Sequence, residues 1–173
     1  HEDNPELDYA RKNHLIVLKR AELLGLIAEN YKNVIAIAGS HGKTTTTALT
    51  GEIMKHFCES VFVVGNIGDP YALHALETVE ESVTVAEISS FMLETIMDFR
   101  PNVSAITNIT PDHLNRHYTM ENYASTKFAI TGNQTEDQIC VLNYEDPILR
   151  EHASKVKARI FYFSSESVLQ EGI

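Results

Sequence analysis

The chain has 173 residues, 43% of them hydrophobic, and a formal net charge of −10 at pH 7. That length and apolar content suit one well-buried domain and exclude two large ones. The acidic balance argues against a nucleic-acid surface, the longest apolar runs have the length of strands rather than membrane spans, and two cysteines make neither a disulfide framework nor a metal knuckle.

In chain order, Asn4 is placed to cap a helix over Pro5–Lys12, since proline is tolerated at the first helical position. Leucine and isoleucine then recur at helical spacing over Arg20–Glu29. Apolar runs predict strands at Val34–Ala38, Val61–Gly65, Val83–Glu87, Val103–Ile109, Ile139–Leu142 and Arg159–Phe163. Most are continuous rather than alternating, as expected for strands covered on both faces. Helical patterns fall between them at Thr45–Phe57, Pro70–Thr78, Phe91–Asp98, Met120–Gly132 and Pro147–Lys155, each bounded by a polar cap, Gly or Pro. Strands alternating with helices predict a doubly wound, mostly parallel α/β sheet, in which ligands bind beyond the carboxyl ends of the strands. Cys58 near a helix end and Cys140 within a strand-like run read as reduced thiols of a cytoplasmic protein. The opening His1-Glu2-Asp3-Asn4-Pro5 and the tail after Phe163 suggest a fragment of a longer chain.

The first strand runs into Gly39-Ser40-His41-Gly42-Lys43-Thr44-Thr45. Glycines at 39 and 42 let backbone N–H groups converge on phosphate oxygens, and a helix starting near Lys43 points its positive end at them. Lys43 is placed to reach the β- and γ-phosphates of a nucleotide, and the Thr44 hydroxyl to ligate Mg²⁺. The spacing is shorter than the eight-residue form of this loop, and the competing reading is an ordinary strand–turn–helix corner.

Glu87 ends the third strand, where phosphate-loop enzymes place a metal-binding carboxylate; the alternative is an acid favoured by a helix N-terminus. Thr107-Asn108-Ile109-Thr110-Pro111-Asp112-His113-Leu114-Asn115-Arg116-His117 closes another strand with a dense set of ionisable groups. His113 can ligate a metal through one ring nitrogen while Asp112 or a backbone carbonyl fixes the other. His117 and His74 lack comparable context. Asn66, between Gly65 and Gly68, sits where flanking glycines allow a ligand to approach the backbone. Lys127, within Tyr123-Ala124-Ser125-Thr126-Lys127, is by itself an ordinary helix lysine.

Taken together and in this order, the phosphate loop, Gly65-Asn66-Ile67-Gly68, Glu87-Ile88-Ser89-Ser90-Phe91-Met92-Leu93-Glu94, Asn108 to Arg116 and Tyr123 to Lys127 resemble the central ATPase domain of the Mur ligases, which build the peptide stem of peptidoglycan. The Gly65 and Glu87 segments look most like the D-glutamate-adding branch, and the phosphate loop with His41 looks more like the L-alanine-adding one. The resemblance implies that Lys43 contacts the ATP phosphates, with Gly39, Ser40, His41, Gly42, Thr44 and Thr45 forming the cradle. It implies that Thr44 and Glu87 hold one Mg²⁺, and that His113 and Lys127 serve a second. Lys127 would do so as an N6-carboxylysine, whose carbamate oxygen turns a cation into a metal ligand. Asn66 and Ser89 are implied to face the UDP-N-acetylmuramoyl substrate, and Asn115 stands where relatives often carry Asp. On this resemblance residues 1–33 end the UDP-binding domain or form a hinge, 34–173 are an incomplete central ATP-binding domain, and the C-terminal domain is absent. The implied reaction is ATP-dependent amide-bond formation through an acyl phosphate, adding D-glutamate, in a cytoplasmic monomer without nucleic-acid or membrane partners. L-alanine addition, a folylpolyglutamate-synthase-like ligase and a non-ligating nucleotide-binding module are the alternatives.

Overall fold

Six strands pair in parallel throughout, in the order β2-β3-β1-β4-β5-β6. They are β1 Asn33–Ala38, β2 Val61–Gly65, β3 Val83–Glu87, β4 Val103–Ile106, β5 Ile139–Asn143 and β6 Arg159–Phe163. The structure is a computed structural model and describes residues 4–18, 22, 23, 26 and 33–169. The helical spacing over Arg20–Glu29 and the division expected at residue 33 lie largely outside the described residues.

The apolar runs are continuous because both faces of the sheet are covered. Along β1, Val34, Ala36 and Ala38 join one core cluster with Tyr123 and Phe128, whereas Ile37 and Ile35 pack with Val83, Val85, Met54 and Cys58 on the other side. Cys140 is fully buried, and burial raises its thiol to a pKa of about 11; both cysteines are free thiols. The strand order reverses at β1: the chain runs from β1 to β2 and β3 on one side, then to β4, β5 and β6 on the other. The crevice beyond the carboxyl end of β1 is therefore flanked by β3 and β4, the position at which such sheets bind ligands.

Helices with both ends among the described residues are α1 Pro5–Lys12, α2 Lys43–Met54, α3 Ser90–Leu93, α4 Leu114–His117, α5 Met120–Phe128 and α6 Pro147–Ala153, with 3₁₀ turns at Tyr71–His74 and Ala129–Thr131. Asn4 caps α1 as expected, its Oδ1 accepting from the Glu6 N–H at 2.8 Å. No helix among the described residues is long and apolar enough to cross a membrane. Several expected elements end short of the pattern, and three of them lose about half their length or more. The run over Pro70–Thr78 gives only the 3₁₀ turn, closed by the His74 ring between Glu77 (2.9 Å) and Asp69 (3.1 Å). The pattern over Phe91–Asp98 gives the single turn α3: the Ile96 N–H bonds to the Leu93 carbonyl rather than to the Met92 carbonyl that a continuing α-helix would use, and beyond it the Asn133 amide ties down the carbonyls of Met97 and Phe99. Strand β4 stops at Ile106 rather than Ile109. Beyond it the Ile109 N–H turns to the Asp146 carboxylate (2.6 Å), whose other oxygen caps α6 through the N–H groups of Ile148 and Leu149. The short helix α4 was not signalled by the apolar pattern.

Gly65 corrects a second expectation. It has φ +114°, and a Cβ there would lie 2.3 Å from the Glu87 carbonyl oxygen. The space left by the missing side chain is filled by β3, not by a ligand. Gly65→Ala is therefore expected to destabilise the domain by about 3 kcal/mol or more, combining an unfavourable φ with a backbone clash. Urea unfolding measures this directly, and an unchanged midpoint would contradict the packing account.

Candidate phosphate-loop site

The loop between β1 and α2 is held from below by the segment that leaves β4. Gly39, at φ +139°, has no room for a side chain, since a Cβ would fall 2.0 Å from the Thr107 Oγ1. Thr107 Oγ1 donates to the His41 carbonyl at 2.7 Å, Asn108 Nδ2 donates to the same oxygen at 3.1 Å, and Asn108 Oδ1 accepts from the His41 N–H at 2.9 Å. The Ser40 N–H donates to the Asn108 carbonyl at 2.9 Å, and the buried Ser40 hydroxyl meets the Thr110 N–H (3.0 Å) and the Tyr123 hydroxyl (3.1 Å). Gly42, at φ +81°, is the N-cap of α2 and has no side chain with which to close the first turn. The exposed N–H groups of that turn are left for an anion, as at other helix N-termini in phosphate loops. Thr45 is exposed on the same turn.

Two lysines converge on this loop. Lys43 Nζ donates to the carbonyls of Gly39 and Ser40, each at 2.9 Å, and Lys127 Nζ donates to the same Gly39 oxygen at 2.7 Å. Lys127 is 1% exposed, on α5, with the Tyr123 ring 5.2 Å from its nitrogen. Burial, reinforced by the nearby Lys43 charge, lowers its pKa from 10.5 to about 7. Sequence alone made this lysine unremarkable; the packing of α5 under the loop makes it a buried amine.

Glu87, at the end of β3, is also 1% exposed. Its Oε2 accepts from the Thr44 hydroxyl at 2.9 Å and its Oε1 from the Asn66 amide at 2.8 Å. No ion pair among the described residues includes it. A buried carboxylate met only by neutral donors, one of them a hydroxyl at the start of a phosphate-loop helix, fits a divalent cation that completes its shell with phosphate oxygens and water. Among the described residues no cluster of three His, Cys, Asp or Glu side chains offers an alternative metal cage.

Lys43, Asn66, Ser89, His113, Tyr123 and Lys127 line one cavity of about 100 Å³. Ser89 is the N-cap of α3, its Oγ accepting from the Met92 N–H at 3.3 Å. His113 enters from the N-terminus of α4 with Nε2 3.4 Å from Asp112 Oδ2 and its ring 5.0 Å from that of Phe91. The structure thus brings the lysine of the loop, the strand-end neighbour Asn66, the loop histidine and the helix lysine to one wall, with the Thr44–Glu87 pair beside it. Sequence reasoning missed Tyr123, whose position four residues before Lys127 on one helix face was the available signal. It also set His117 aside. That ring is buried, 3.2 Å from Ser90 Oγ and 5.0 Å from the Tyr123 ring, and burial lowers its pKa.

A parallel sheet whose order reverses at a glycine-rich, lysine-bearing loop, with a buried acid ending the next strand, defines a phosphate-loop α/β domain. The chain belongs to the Mur ligase middle domain family, which it matches over residues 37–171. It is 52% identical over 174 residues to the UDP-N-acetylmuramoylalanine–D-glutamate ligase of Lachnoclostridium phytofermentans, an alignment covering 97% of this chain and 37% of that one. It is 58% identical over 142 residues to the enzyme of the same name from Lachnospira eligens, covering 81% and 32%. The chain therefore spans about a third of the length of these curated relatives. Among solved structures, the MurF ligase of Thermotoga maritima in complex with ADP has the same fold, with a TM-score of 0.69 over 88% of this chain and 39% of that one at 24% identity.

Proposed function

We propose that this chain is the nucleotide-binding part of an ATP-dependent ligase that joins D-glutamate to UDP-N-acetylmuramoyl-alanine, acting as a monomer in the cytoplasm. One observation carries the reading: Lys43, His113 and Lys127 line a single cavity beside the Thr44–Glu87 pair, in a chain half identical to relatives named for that reaction. The branch named by those relatives favours D-glutamate over L-alanine and over a folate-type substrate.

In the proposed reaction a carboxylate oxygen of the muramoyl substrate bonds to the γ-phosphorus of ATP as the bond to the bridging oxygen breaks and ADP leaves. The amine of the amino acid then attacks the acyl carbon, a proton is lost, and phosphate departs. Lys43 and the loop N–H groups bind and orient the triphosphate and oppose the charge that spreads over the transferred group. Thr44 and Glu87 would hold Mg²⁺, which supplies charge neutralisation and alignment of the phosphates. Asn66 fixes the Glu87 carboxylate and, with Ser89, faces the muramoyl substrate. A second Mg²⁺ would be served by His113 and Lys127, the latter once its neutral amine has added CO₂, forming an N–C bond and releasing a proton. The buried, easily deprotonated Lys127 amine supports that step.

The test is phosphate release by the full-length protein supplied with ATP and either UDP-N-acetylmuramoyl-alanine plus D-glutamate, UDP-N-acetylmuramate plus L-alanine, or a folate plus glutamate. Release only with the first pair is expected. Release only with another pair, or with none, overturns the reading.

The Lys127 amine also predicts a pH effect on stability. With its folded pKa near 7 and its ordinary value at 10.5, the unfolded chain holds a proton that the folded chain lacks across that window. The cost of burying the amine is complete below about pH 7 and fades as pH rises toward 10.5. In CO₂-free buffer the urea midpoint of the wild type should rise relative to Lys127→Met between pH 7 and pH 8.5. Parallel profiles would show that the amine is not buried as described.

A further inference from the structure

Three non-glycine residues among the described residues have positive φ, and two of them, His113 (φ 51°) and Tyr118 (φ 66°), bracket the four-residue helix α4. Such backbone is unfavourable for residues with a Cβ and persists only where the surroundings over-determine it. Neither bracketing residue supplies that restraint by burial, for both side chains are exposed. The restraint comes from the residues between them. Arg116 donates a fork to Glu94, Nε to Oε1 at 2.7 Å and Nη2 to Oε2 at 2.6 Å, while its guanidinium lies 5.0 Å from the centre of the Phe91 ring. The buried His117 places Nε2 3.2 Å from Ser90 Oγ and Nδ1 3.7 Å from the same Glu94 carboxylate, and stacks on Phe91. Every one of these partners belongs to α3 or to the residue that ends it. The Arg116 fork also holds the Glu94 carboxyl below the usual range, so the anion is present at neutral pH.

The two helices so joined carry opposite parts of one wall: Ser89, Ser90 and Phe91 reach the cavity from α3, and His113 reaches it from the head of α4. We infer that Glu94, acting through Arg116 and His117, is a positioning residue that keeps α4 and its two positive-φ flanks seated on α3 and thereby holds the His113 imidazole in the cavity. The inference rests on the reading of His113 proposed above for its functional consequence, but the seating itself is a property of the metal-free protein.

Hydrogen exchange in the full-length protein without metal tests the seating. Glu94→Gln and Arg116→Met, whose methionine keeps the contact with Phe91, should each speed exchange of the amides at 113–118 about fivefold, the scale of a half-exposed forked ion pair, and leave β1 to β6 unchanged. Arg116→Lys should fall between them and the wild type. Titration with Mn²⁺ in the presence of a nonhydrolysable ATP analogue, followed by electron paramagnetic resonance, tests the consequence. The wild type should bind two ions, His113→Ala should lose the weaker one, and Glu94→Gln should weaken that ion about fivefold while sparing the tighter. Unchanged exchange at 113–118, or acceleration spread over the whole sheet, overturns the inference. So does full retention of the weaker ion in Glu94→Gln. A single ion in the wild type with fast exchange confined to 113–118 in the variants would refute the metal reading of His113 and uphold the seating.

Discussion

Lys43→Ala in the full-length protein is expected to lower ATP-dependent ligation about a thousandfold or more. The ammonium is the loop's own cation at the N-terminus of α2, and loss of one preorganised charge at a transferring phosphoryl group commonly costs that much. The fold should tolerate the change. Of the two carbonyls to which Lys43 donates, that of Gly39 keeps its bond from Lys127, so of this pair the Ser40 carbonyl alone loses a side-chain donor. Removing its charge also relieves the repulsion that helps keep Lys127 neutral, so the Lys127 amine should become more basic. Phosphate release and thermal melting are the measurements. Ligation near the wild-type rate would remove Lys43 from the site, and a collapsed melting temperature would mean that it serves the fold instead.

Glu87→Gln is expected to separate metal binding from stability. Glutamine fits the existing hydrogen bonds, with its carbonyl toward the Asn66 amide and its amide toward the Thr44 hydroxyl, while the charge is lost. The affinity for Mn²⁺ with nucleotide should drop about a hundredfold or more, because a divalent cation at this position depends on a carboxylate and two phosphates. Without metal the variant should unfold at the same urea concentration as the wild type or a higher one, since a buried carboxylate hydrogen-bonded only to neutral groups is costly to keep. A variant that binds Mn²⁺ normally would show that the acid is a structural cap. One that binds weakly and is also much less stable would show that the charge holds the loop together.

Much of this fold is legible in the sequence. The positions of all six strands followed from apolar runs and their bounding turns, and the phosphate loop followed from glycine spacing and the lysine behind it. Where the reading slipped, tertiary bonds had overridden a local pattern. Ile109 continues the apolar run of β4, but its N–H belongs to Asp146, 37 residues away, so the strand ends at Ile106. The Phe91–Asp98 pattern looked like two helical turns, yet the chain leaves the helix after one, with the Ile96 N–H on the Leu93 carbonyl and the Met97 and Phe99 carbonyls tied to Asn133. Gly65 was read correctly as a place of close approach and wrongly as an opening for a ligand, because the approaching backbone comes from a neighbouring strand.

The sequence by itself determined the parallel α/β class, the loop and the identity of Glu87, because each depends on residues within one strand and the turn after it. Only the tertiary structure decided that Lys127 is a buried amine, that His117 is a packed ring rather than a surface one, and that Glu94 reaches across to α4. Those properties arise from which side chains surround a group, and here the surroundings come from segments up to 88 residues distant, as in the contact of Lys127 with Gly39. Solvation and charge neighbours set the chemistry of an ionisable group, and periodicity along the chain carries no record of either.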